Sequence, residues 1–156
     1  MQEAPRLIPF GLVLHHDGKW SHEGQPILNR RLREKFDRSV VYLANQGKFV
    51  VQVGRFKGEI EVEEAAFFVR MVDLPKGELK ISDGTMERLD ASTLHWSRID
   101  GALLCKIGRP GSTEGVLARF DHSPHAELLL SIEVKDGHHA LCMHGDRILL
   151  TELEGS

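Results

Sequence analysis

At Gly47 the hydrophobic spacing changes from helical to alternating, and this restricts the chain to a fold mixing helix with antiparallel sheet. Before it, Leu28, Leu32, Phe36, Val40 and Leu43 recur every three or four residues. Arg30, Arg31, Arg33, Glu34 and Lys35 fill the opposite face, so the segment reads as an amphipathic helix. Asn29 is suited to cap its start and Gly47 to follow its end. After Gly47, Phe49, Val51 and Val53 alternate with Lys48 and Gln52, and Ile60 and Val62 with Glu59, Glu61 and Glu63. That period of two is the signature of half-buried antiparallel strands.

The same grammar runs through the rest of the chain. Leu12-Val13-Leu14 and Trp20 form a hairpin about Asp17-Gly18. The apolar run 65–69, reaching Met71 and Val72, reads as a strand covered on both faces, with a helical turn at 63–66 as the alternative. Pro75-Lys76-Gly77 breaks the chain, and the boundary between an N-terminal lobe (1–75) and a C-terminal lobe (76–156) is placed there. Strands follow at 79–81, 102–107 and 116–120. Ser123-Pro124 is suited to open a second helix, with Leu128, Leu129, Ile132 and Val134 as its apolar stripe and Asp136-Gly137 at its end. Residues 139–143 and 148–150 form a closing hairpin about His144-Gly145-Asp146. Each half thus reads as strands, one helix, a glycine and a hairpin, with Gly47 and Gly137 in equivalent places, which suggests an internal duplication. Strands interrupted by single helices give an α+β fold of two small lobes, each mainly antiparallel strands with one helix.

Composition limits the function classes. A net charge of −3 and a pI near 6.3 argue against an extended nucleic-acid surface, which needs a basic face that neutralises several phosphates. The opening residues 1–6 lack the pattern of an export leader, and no apolar run approaches the ~20 residues of a membrane span. Cys105 and Cys142, each inside an apolar run, read as reduced, buried thiols of a cytoplasmic protein.

Trp20-Ser21-His22-Glu23-Gly24-Gln25-Pro26-Ile27, the basic helix after it and Ile60-Glu61-Val62-Glu63-Glu64-Ala65-Ala66-Phe67 together resemble the bacterial domain-of-unknown-function family 1285. Gly115-Val116-Leu117-Ala118-Arg119-Phe120 and the helix around Glu127-Leu128-Leu129 are similar to a later block of that family. Two departures mark a distant branch: Glu64-Ala65-Ala66-Phe67 stands where the family has Asp-Ala-Pro-Phe, and Leu103-Leu104-Cys105 replaces an aromatic-rich strand. The resemblance implies a duplicated α+β architecture, a second lobe pleckstrin-homology-like in outline, and a site between the lobes for a nucleotide-like ligand in signalling.

The candidate site residues follow from that expectation and from local chemistry. Arg30, Arg31 and Arg33 lie in the first turn of a helix, where the macrodipole disfavours cations by roughly 0.3–1 kcal/mol each, and a bound anion would offset that cost. Trp20, His22 and Phe67 are the matched aromatic and polar positions at which a base could stack, and Arg119, in a strand, needs an anionic partner. The expected ligand-binding set is therefore Trp20, His22, Arg30, Arg31, Phe67 and Arg119. His122 and His125 beside Asp121 offer a metal or acid/base alternative, weakened because Ser123-Pro124 between them leaves His122 in the preceding loop. Gly108-Arg109-Pro110-Gly111 leads into a strand and lacks a P-loop's lysine, so it reads as a mobile connection. The reading favours a non-enzymatic module for a small anionic, nucleotide-like ligand, with no catalytic residue, metal or cofactor expected. The alternatives are an enzyme using the His122/His125 region and a protein-interaction domain using a strand edge or the acidic segment 59–64.

Overall fold

The computed structural model describes residues 8–150, apart from positions 54 and 144, together with Leu153. Residues 1–6, read above for a leader, and His144 of the last hairpin lie outside the described residues. The chain divides into two compact units, Met1–Ala66 and Phe67–Ser156. Among the described residues each has mainly antiparallel strands and one α-helical element, Arg30–Ser39 or His122–Leu130, as an α+β fold requires.

In the first unit β1 (Ile8–Leu14), β2 (Trp20–His22) and β3 (Gln25–Pro26) form one antiparallel meander. A second consists of β4 (Val40–Leu43), β5 (Lys48–Val53) and β6 (Phe56–Val62), reached through α1 (Arg30–Ser39). A parallel β1–β6 pair joins the two into a six-stranded sheet of order β3-β2-β1-β6-β5-β4. Asp17-Gly18 makes the expected turn: Gly18 has φ 86° and Leu14 pairs with Trp20. Leu12, Leu14, Trp20, Val40, Val50, Val51 and Ile60 are buried and supply the core.

The second unit repeats this connectivity. β7 (Phe67–Asp73), β8 (Glu78–Ile81) and β9 (Met86–Arg88) form one meander. β10 (His95–Trp96), β11 (Leu103–Ile107) and β12 (Val116–Phe120) form the next, reached through a single 3-10 turn (Ala91–Thr93). A parallel β7–β12 pair gives the order β10-β11-β12-β7-β8-β9, the first sheet's order read from the other end. Phe67, Phe68 and Val69 are buried in succession, the mark of a strand covered on both faces. α2 (His122–Leu130) packs on β7 and β12, with Pro124 and Leu128 buried, and leads into β13 (Ile132–Lys135), β14 (His138–Met143) and β15 (Asp146–Leu149), a separate three-stranded sheet. The repeat expected from the sequence holds in element order: α1-β4-β5-β6 and α2-β13-β14-β15 are each a helix followed by a meander. Gly47 (φ 62°) and Gly137 (φ 79°) both occupy the turn between its first two strands.

Several local expectations are corrected. The units divide between Ala66 and Phe67, not at 75/76, because Pro75-Lys76-Gly77 is the β7–β8 hairpin turn. The Gly77 N–H donates to the Leu74 carbonyl, and the Lys76 N–H to the Asp73 carboxylate. Both helices stop early. α1 ends at Ser39 and α2 at Leu130, and Val40-Val41-Tyr42-Leu43 and Ile132-Glu133-Val134-Lys135 are strands. β-branched and aromatic side chains favour the pleated surface once hairpin partners exist, although their spacing also fits a helix. α2 opens at His122 with Asp121 as its cap residue, so His122 belongs to the helix rather than the preceding loop. Pro124 is tolerated there because first-turn N–H groups have no intrahelical acceptor. Cys105 is buried, and burial pushes its thiol up to about 12; Cys142 is exposed, contrary to expectation.

Candidate functional site

Half of the ten residues of α1 are basic, and its first turn carries no acid. One buried side chain anchors the helix to its sheet. Trp20 donates its indole N–H to Asp37 Oδ1 at 2.8 Å, and its ring lies 5.4 Å from that of Phe36. A buried indole needs such an acceptor, so Asp37 faces inward and fixes the rotation of α1. Asn29 caps the helix as expected: its Oδ1 accepts the Leu32 N–H at 3.1 Å and its carbonyl accepts that of Arg33.

That rotation decides where each arginine goes. Arg30 Nε reaches Glu34 at 3.0 Å, an exposed pair one turn apart. Arg31, Lys35 and Arg38, at i, i+4 and i+7, share the outward face, and none of them has an ion pair among the described residues. With Glu34 and Ser39 they line a shallow depression of about 590 Å³. The stripe is legible in the spacing, but Lys35 and Arg38 fall outside the expected set because the macrodipole argument reaches only the first turn.

The other expected site residues are placed differently. His22 is exposed on β2, and Trp20 is 1% exposed. Phe67 is fully buried beneath the Arg109 guanidinium, 4.5 Å from its ring centroid. Arg109 also bonds Asp83 at 2.8 Å, Glu87 at 2.6 Å and Thr85 Oγ1 at 2.9 Å, which ties the glycine-rich connection 108–115 to β9 and the turn before it rather than leaving it loose.

Arg119 grips Asp100 with both terminal nitrogens, at 2.7 and 3.1 Å. This contact, with help from the Ala102 N–H and Ser97, lowers the Asp100 carboxyl to about 2 against the opposing effect of burial. His125 lies beside Trp96, ring centroids 6.3 Å apart. Burial, then the charges of His122 and Arg119, lower its pKa. Arg119 and the His122/His125 pair, separate candidates in the sequence, thus fall in one neighbourhood at the start of α2. Its charges are largely compensated: Asp100 meets Arg119, and Asp121 turns from the helix end to Arg70 at 2.9 Å. Among the described residues no group of three or more His, Cys, Asp or Glu side chains could hold a metal. No described helix is long and apolar enough to cross a membrane.

Neither a family model nor a curated protein matches this sequence. Two solved structures do share its fold. A DUF1285 family protein from Silicibacter pomeroyi DSS-3 aligns over 91% of this chain and 80% of its own, with 18% identity and a TM-score of 0.63. A second DUF1285 family protein, from Shewanella baltica OS155, covers 79% of this chain and 92% of its own, with 14% identity and a TM-score of 0.51. The fold is therefore the one the sequence resemblance led us to expect, and at these identities the likeness concerns fold alone.

Proposed function

We propose that this protein is a non-enzymatic binding module for a small, multiply charged anion of the nucleotide or polyphosphate class, held on the outer face of α1 by Arg31, Lys35 and Arg38. The observation that carries the reading is the imbalance on that face: three cations within one arc of helix, beside one acid already engaged by Arg30. Like charges at i and i+4 destabilise a helix by a few tenths of a kcal/mol. A ligand bearing two or more negative charges removes that repulsion and gains charge-assisted hydrogen bonds. In this reading Arg30 can leave Glu34 to join the ligand, and Trp20 serves by fixing the rotation of the helix. The start of α2 is the weaker candidate because its acids and bases already neutralise one another. A nucleotide ligand would place the protein in cytoplasmic signalling.

The test is a thermal-shift panel with inorganic phosphate, pyrophosphate, nucleotides and cyclic nucleotides. A ligand at a hundred times its Kd adds about 2.7 kcal/mol, and a chain of this size shifts by roughly 2–4 °C for each kcal/mol. The reading expects a shift for polyvalent anions that is lost when Arg31, Lys35 and Arg38 are together replaced by Ala. A shift unchanged in that variant, or none with any member, would overturn it.

A further inference from the structure

Among the described residues, the third sheet differs from the other two in being half their width. The meanders β1–β3 and β4–β6 share one six-stranded sheet and β7–β9 and β10–β12 another, whereas β13–β15 stand as three strands with β13 at an edge. That edge is not blunted by burial: Glu133, Val134 and Lys135 are exposed, with Val134 at 67% and Leu130, at the end of α2 just before it, at 88%.

The direction of the free backbone groups follows from the hairpin. Asp136-Gly137 is a two-residue loop with both residues at positive φ (53° and 79°), and Lys135 pairs with His138. In such a hairpin the flanking pair exchanges hydrogen bonds and the next pair does not, so Lys135 and Glu133 bond inward to β14. The His139 carbonyl, opposite Val134, accordingly accepts from Leu150 on the far side. The N–H and C=O of Ile132 and Val134 therefore point out of the sheet.

We infer that β13 is a self-association edge, at which a second copy of this chain adds its own β13 antiparallel across a two-fold axis to give a six-stranded sheet. The charge pattern selects both occupant and register. With Val134 opposite its own mate, each Glu133 faces the mate's Lys135, in the non-hydrogen-bonded positions where cross-strand side chains come closest. Centring on Glu133 instead would set like charges opposite each other. Glu133 has only a long contact, 3.7 Å, to Arg147, and Lys135 has no ion pair among the described residues. The exposed Leu130, next to β13 in sequence, adds apolar surface near this edge.

The experiment is sedimentation equilibrium of the full chain from micromolar to about millimolar concentration, with circular dichroism confirming that each variant is folded. The wild type is expected to show a concentration-dependent monomer–dimer equilibrium. Glu133→Lys and Lys135→Glu should each weaken it about tenfold or more, since each replaces two attractive cross-strand pairs with two repulsive ones. The double swap, Glu133→Lys with Lys135→Glu, restores the complementarity and should restore the dimer. A wild type that stays monomeric throughout, single variants that dimerise as before, or a double swap that fails to recover would each overturn the inference.

Discussion

α1 and α2 each run within a residue or two into the first strand of a meander, yet they are held and presented in opposite ways. α1 buries no residue of its own and is fastened by a side chain from β2, the Trp20 indole on Asp37 and Phe36. Its free face is cationic. α2 buries Pro124 and Leu128 directly and leaves Leu129 and Leu130 exposed. Its cap residue makes no side-chain cap bond, since Asp121 turns to Arg70, whereas Asn29 closes α1. The contrast teaches that one helix-plus-meander unit can be anchored by a side chain from a neighbouring strand, which leaves the outer face of the helix exposed, or by the helix's own side chains, which spends the helix on packing.

The largest test of this contrast is on the two anchors. Trp20→Ala should destabilise the protein by about 3–5 kcal/mol and Leu128→Ala by about 2–5, each read from urea unfolding. Trp20→Phe keeps one aromatic ring in place, removes the donor to Asp37 and leaves the space of the second indole ring unfilled. It should cost about 1–3 kcal/mol and loosen α1, seen as faster amide exchange at residues 33–39. Slower exchange, or exchange unchanged, would break the claim that Trp20 holds this helix.

The caps give a smaller difference. Asn29→Ala should cost about 1 kcal/mol. Asp121→Asn, which keeps a short polar side chain and loses the exposed pair with Arg70, should cost less than that. Equal losses would erase the distinction between the two helix starts.

The smallest effect is in acid. Asp100 has its carboxyl lowered from 3.8 to about 2, chiefly by Arg119. A depressed carboxyl adds stability that is fully present above its unfolded value and is lost as pH falls through the folded one. The advantage of the wild type over Asp100→Asn, no more than about 1 kcal/mol for so exposed a pair, should therefore be constant above about pH 5 and shrink from there towards pH 2. Unfolding midpoints at pH 7, 4 and 2.5 check it. An advantage that grows in acid would contradict the assignment.

The alternation after Gly47, the Asp17-Gly18 hairpin and the strand at 116–120 were legible because turn chemistry and period agree there. The ends of both helices were not. Val40 and Leu43 extend the helical spacing of α1, and Ile132 and Val134 that of α2, and only pairing with strands further along the chain selects the pleated alternative. The unit boundary was misplaced for a related reason: a proline and a glycine mark a hairpin turn as readily as a linker. Among site residues, the Asn29 cap was readable locally. The partners Asp37, Asp100 and Trp96 were not, because each meets its mate across elements distant in sequence.

The most direct test of the anion reading is a 1H–15N titration of the protein with pyrophosphate at low ionic strength. The account predicts saturable amide perturbations concentrated at residues 31–39 and abolished when Arg31, Lys35 and Arg38 are replaced by Ala. Perturbations centred on residues 119–125 with α1 unmoved, or none up to millimolar ligand, would contradict it.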